Sequence, residues 1–267
     1  MRALGRHKAW PLAIAALSAM AWLALAAWTQ SPYGRFLDHG GWLQTGFAGR
    51  LCAATPGGSV LLPALLYVGG WLVMTVAMML PTVTPLVAIF ARMTASRPNS
   101  NTLLALLILG YLAVWTAFGV VAHGLDMALH ALAGADSFLT FNGWAIGAAI
   151  VAVAGAFQFS RLKYHCLEQC RTPLSFLSRN WRGGSARRQS FQLGVRHGLF
   201  CIGCCWAIML LMFAVGMGSL GWMLAIGAVM ATEKNAPWGA RLSAPLGIAL
   251  LFASAAIVAQ HIGWVAV

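Results

Sequence analysis

"RHGLFCIGCCWAIMLLMFAV", Arg196 to Val215, decides the class of this chain. It opens on a charge and then runs from Gly198 to Val215 without another. A membrane-crossing helix needs about 20 mainly apolar residues. The rest of the chain agrees. It has 267 residues, of which 60% are hydrophobic and only 8% charged, and its mean hydropathy is +0.78. A soluble domain carries roughly 25% charged residues. No water-soluble fold of this length hides so much apolar surface, so the solvent must be lipid. The apolar segments are continuous rather than alternating, which argues against a β-barrel.

Working outward, the sequence predicts an all-α, polytopic membrane protein with about seven transmembrane helices in a single domain, residues 1–267. The spans are Trp10–Trp28, Ser59–Ile89, Leu103–His123, Trp144–Ser160, Gly198–Val215, Met217–Ala231 and Leu246–Val265. Pro81 and Pro85 should kink or end the second. The fifth and sixth are separated only by Gly216 and read as a tight hairpin, with one long broken helix as the alternative. "GWAIG" (Gly143–Gly147) has small-xxx-small spacing, which lets helices approach closely. The first span reads as an uncleaved anchor, although "ALAAW" (Ala24–Trp28) also offers small residues for a cleavage site.

The basic residues orient these spans. With the N-terminus cytoplasmic, 15 of the 17 Lys and Arg fall in inner segments, and only Arg35 and Arg50 fall outside. That bias is the positive-inside rule, and it places the protein in the inner (cytoplasmic) membrane. Residues 161–196 form the one long inner segment, read as a basic, solvated cytoplasmic loop facing the lipid headgroups. The net charge of +12 would suggest nucleic acid in a soluble protein. Here it reports topology and contact with the bilayer, and no nucleic-acid partner is expected.

Six cysteines occur, and five of them, Cys166, Cys170, Cys201, Cys204 and Cys205, are confined to one short stretch of the chain. This topology puts them on the reducing side of the membrane, where a structural disulfide is the wrong default. Cys52 lies in an outer loop and reads as a bystander. At about 100° per residue, His197, Cys201, Cys204, Cys205, Met209 and Met212 share an arc of about 140° on one helix. "HCLEQC" adds a second i, i+4 pair, Cys166 and Cys170, with His165 beside it. If the two helices meet, four thiols and one or two imidazoles converge.

Thiolate, thioether and imidazole are soft or borderline ligands, which suit Cu(I) and Zn(II). Zinc would take a closed tetrahedron, such as Cys166, Cys170, Cys201 and Cys205. Copper(I) needs fewer ligands, and Met74 with Met78 offers a further i, i+4 pair. The face from His197 to Met212 is about 22 Å long, too long for one site but suited to a relay. The basic residues Arg161, Lys163, Arg171 and Arg196 should favour thiolate over thiol. Glu233, at the inner end of the sixth span, is a candidate ligand or a partner to a ligating imidazole.

Several blocks carry a resemblance. "WLVMTVAMMLPTVTP", "FQFSRLKYHCLEQCRTPLSFL", "GVRHGLFCIGCCWAIMLLMFAVGMGSLGWM" and "EKNAPWG" resemble the DUF2182 family of predicted metal-binding integral membrane proteins. The likeness runs from about Trp71 to Gly239, with no departure in the Cys/His blocks. Some members carry a copper-chaperone label. The resemblance implies Cys166, Cys170, His197, Cys201, Cys204 and Cys205 as ligand candidates, with Glu233 and the Met74–Met79 cluster beside them.

Three functions remain open on the sequence. The first is a non-enzymatic membrane protein that binds Cu(I) and exchanges it with donor or acceptor proteins. No Gly-rich Lys-Ser/Thr nucleotide loop is present, so it is not an ATP-driven pump. The second is a membrane thiol–disulfide oxidoreductase using Cys201-x-x-Cys204. The third is a subunit whose Zn(II) only staples two helices.

Overall fold

A computed structural model describes residues 2–31, 61–135, 139, 142–182, 184–216 and 219–265. Cys52, Arg35 and Arg50 lie outside them. The described chain is helical, in the order α1 (Arg2–Thr29), α2 (Leu61–Met78), α3 (Thr84–Met93), α4 (Ser100–Ala135), α5 (Gly143–Phe157), α6 (Arg161–Arg171), α7 (Pro173–Asn180), α8 (Ala186–Val215), α9 (Leu220–Asn235) and α10 (Ser243–Val265).

The seven apolar segments all map onto these helices. Four helices, α1, α4, α8 and α10 with its leading turn, are long and apolar enough to cross a bilayer unaided. Two bent pairs are long and apolar enough for a crossing when each is read as one broken span. α2 and α3 meet at 47° through a 3₁₀ turn, Leu80–Val83. Pro81 and Pro85 fall in the first turns of that turn and of α3, where a missing N–H costs no hydrogen bond. α5 and α6 meet at 65°. The seventh, α9, has 16 residues, about 24 Å at 1.5 Å per residue.

The sequence ends the fourth span at Ser160 and expects a loop after it; that a helix follows instead has a local cause. Ser160 caps α6, and its Oγ accepts from the Lys163 backbone N–H at 3.1 Å, as an N-cap serine does. The stretch 161–196 is thus largely helical where the sequence predicts a loop. It is α6, α7 and the first three turns of α8, with only residues 181–185 between the last two.

α8 is the centre of the molecule. Of its most apolar stretch, 61% is buried inside the protein, against 22% for α1 and 17% for α10. It packs on α4, α5, α6 and α9. Contact with α4 is close to backbone on backbone. A Cβ on Gly194 would lie 2.0 Å from the Leu107 carbonyl oxygen, and one on Gly110 would lie 2.3 Å from that of Phe191. This approach sets Tyr111 of α4 beside the cysteines of α8.

The expected hairpin is present. Gly216 takes φ 92°, a conformation that favours glycine, and α9 returns from it. Lys234 lies in the last turn of α9 and Cys201 in the middle of α8, so the returning helix brings the two to the same level. Gly143 and Gly147 are buried, and Ser254 of α10 donates to the neighbouring Ala148 carbonyl at 2.8 Å. The basic ends also meet: the Trp10 indole donates to Asn101 of α4, Arg97 lies over the Trp181 ring, and Arg196 donates to Asn180. At the far end of the first crossing, α1 is part of the core, with Leu25 buried and Ser18 donating to the Ala77 carbonyl at 2.8 Å.

Candidate metal centre

The line of α8 that the sequence singles out faces inward. His197, Cys201, Cys204 and Cys205 are all buried, and Met209 and Met212 continue the same buried face. Cys166, Cys170, Cys201, Cys204 and Cys205 are free thiols. α6 crosses α8 at this level. The Cys204 and Cys205 thiols donate back to the Cys201 carbonyl at 3.1 and 2.8 Å, and α6, which carries Cys166 and Cys170, packs against α8. Cys166 packs at Gly203, where an added Cβ would lie 2.6 Å from its sulfur. The expected convergence of the two helices is therefore found.

At its centre is a cation that the sequence reading did not assign. Lys234, 6% exposed, extends from the last turn of α9. Its Nζ lies 2.9 Å from Cys201 Sγ, 3.5 Å from Met79 Sδ and 3.9 Å from Cys205 Sγ. Tyr111 Oη is 3.1 Å from Cys201 Sγ and donates to the Met79 carbonyl at 3.5 Å. Two thiols and a thioether thus surround one positive charge, and a phenol lies against the nearest of the thiols. A buried ammonium needs a partner, and Cys201 Sγ is the nearest of the three sulfurs.

His197 stands one turn toward the basic end. Its ring is 5.3 Å from Phe176 and 6.0 Å from Tyr111 between centroids. Its buried Nδ1 has no hydrogen-bond partner among the described residues, an orphaned polar atom of the sort a ligand satisfies.

Other expected members are elsewhere. His165 is exposed, with its ring edge-on to Phe200. Met74 and Met78 are buried in the core, Met78 against Gly227 of α9. The thioether that joins the thiols around Lys234 is that of Met79, one residue on. Glu233 is held in a polar cluster of its own. Its carboxylate accepts from Lys163 Nζ at 2.7 and 2.9 Å and from Ser243 Oγ at 2.7 Å. Gln158 Oε1 also accepts from Lys163 Nζ. The basic residues expected to stabilise thiolate are likewise committed. Lys163 is held in that oxygen cluster, Arg171 donates to the carbonyls of Glu233 and Pro237, Arg196 is on Asn180, and Arg161 is exposed. Lys234 takes the role instead. Its signal is a charge at the end of an apolar helix, which by itself reads as a side chain reaching for the interface.

Among the described residues, no three His, Cys, Asp or Glu side chains form a ready-made metal cage. The three sulfurs converge on the ammonium instead, and one of them is a methionine. As a donor set they fit a soft monovalent ion better than a hard one.

A family model described as copper chaperone, PpoB2, matches residues 68–257, reaching beyond both ends of the motif-bearing stretch. No curated protein and no solved structure matches the chain. The family match includes every helix that contributes a sulfur to the centre, and it covers more than two thirds of the sequence; the chain belongs to the PpoB2 copper-chaperone family.

Proposed function

We propose that this protein is a non-enzymatic carrier of Cu(I) in the cytoplasmic membrane, with its N-terminus inside. It takes the ion at the sulfur centre and gives it up by ligand exchange. The observation behind this reading is the convergence of Cys201 Sγ, Cys205 Sγ and Met79 Sδ on one buried cation position. Copper(I) is content with two or three soft ligands, and thiolate with thioether is its preferred company. Cys204, whose thiol lies on the Cys201 carbonyl, and Cys170 on the neighbouring α6 are the exchange partners, and His197 adds a buried ring nitrogen without a hydrogen-bond partner among the described residues.

Each helix has a part. α8 supplies the thiols, α6 brings Cys170 against them, and the kink after α2 aims Met79 inward. Exchange needs several ligands within one short step of each other, so that no sulfur must release the ion before another receives it. The buried Met209 and Met212 extend a soft path along α8, away from the basic end. The cytosolic donor or acceptor would be a protein that presents thiolates of its own.

The test is metal content. Protein purified anaerobically from copper-supplemented cells should carry copper in stoichiometric amount, and a Cys201→Ser/Cys205→Ser variant should lose it while staying folded. Zinc in place of copper would replace this reading with the helix staple. Absence of metal from both proteins, with thiols that cycle against a quinone, would replace it with the oxidoreductase.

A further inference from the structure

We infer that Lys234 is a resident stand-in for the copper ion: its ammonium fills the sulfur site when the ion is absent, leaves when the ion arrives, and returns to expel it. This rests on the copper reading above. Lys234 Nζ lies within 2.9–3.9 Å of all three sulfurs, so the ammonium and a metal ion cannot share the position. The neighbouring carboxylate gives Lys234 no competing anchor, because Glu233 is fully engaged by Lys163 and Ser243. Lys234 is held by soft, weakly accepting sulfur, while the other buried lysine is held by three oxygens.

Charge makes the exchange economical. A thiolate stripped of copper in an apolar interior is a buried unpaired charge, which is strongly unfavourable. A monovalent ion traded for an ammonium leaves the buried charge unchanged at every stage. A short way out exists. Lys234 is one residue from the end of α9, and Asn235, Pro237 and Trp238 beside it are at least partly open to the surface. A four-carbon stem on a helix end can carry its ammonium to the interface.

The experiment labels surface amines of the full-length, detergent-solubilised, reduced protein with an acylating reagent and counts modified lysines by mass spectrometry. It is done without metal and with one equivalent of Cu(I) or Ag(I). Lys163, fully buried, is the internal control. Lys234 should be protected in the metal-free protein and labelled about tenfold more after loading, while Lys163 stays protected in both. In parallel, Lys234→Met should release copper to a chelator at least about tenfold more slowly than wild type, the scale of one lost charge-assisted contact. Lys234→Arg should remain near wild type.

If copper binds and the double cysteine variant loses it, yet Lys234 stays protected and Lys234→Met releases at the wild-type rate, the exchange is wrong and the copper site stands. Loss of copper from Lys234→Met also overturns the exchange, since the ammonium would then support the ion. No copper in the wild type overturns both.

Discussion

Glu233 and Lys234 are neighbours on the last turn of α9, and they build opposite environments. Glu233 faces a lattice of hard donors: Lys163, at 0% exposure, gives it two hydrogen bonds, and Ser243 a third. Lys234 faces sulfur, where only the 2.9 Å contact to Cys201 is short. Both clusters bury a lysine at the same level of the molecule. The oxygen cluster joins α6, α9 and α10 with nearly every polar atom matched. The sulfur cluster joins α2, α8 and α9 through partners that bind an ammonium weakly and a soft metal well. The first fixes the geometry in which the second is free to exchange.

This contrast is best broken from the oxygen side. Glu233→Ala leaves the Lys163 ammonium buried without its carboxylate, and stability should fall by about 3–5 kcal/mol, read as a lower unfolding temperature in detergent. The paired change Lys163→Met/Glu233→Leu should recover most of that loss, because the expense lies in the unpaired charge. Ser243→Ala removes one hydrogen bond to a carboxylate and should lower stability by about 1.5–3 kcal/mol, with copper content of the folded protein unchanged. Changes on the sulfur side reverse the pattern. Tyr111→Phe deletes a hydroxyl contact and should cost about 1 kcal/mol while copper is retained. Cys201→Ser should abolish copper binding at a smaller cost in stability than Glu233→Ala, because the Lys234 ammonium left without Cys201 can withdraw to the nearby surface. If Cys201→Ser destabilised the protein as much as Glu233→Ala, the division of labour would be wrong.

Much of this is legible in the sequence. The long apolar runs, the kink at Pro81 and Pro85 and the turn at Gly216 follow from lipid solvation and backbone chemistry. The inward line of cysteines follows from helical periodicity, since residues spaced by four share a face. Periodicity says nothing about which helix lies opposite. On sequence alone Lys163 therefore reads as a charge beside the thiols and Lys234 as an interface charge, although each has a buried partner on another helix. Met79 is hidden for a similar reason. The i, i+4 pair Met74 and Met78 looks like the ligand pair, but the 3₁₀ turn that follows Met79 reorients it toward α8. Tyr111 carries no signal within its apolar span; the glycines that bring α4 against α8 make it a neighbour of Cys201. The end of the fourth span at Ser160 is legible, since Arg161 follows at once; that the polar stretch beyond it is itself helical is not, because its charges read as a solvated loop.

The central claim is that sulfur alone holds copper at the position Lys234 now fills. X-ray absorption at the copper edge, on anaerobically loaded full-length protein, tests it most directly. The account predicts Cu(I) with two or three sulfur neighbours in wild type, and loss of that signal in Cys201→Ser. A first shell of nitrogen and oxygen, or a sulfur shell unchanged by Cys201→Ser, would contradict it.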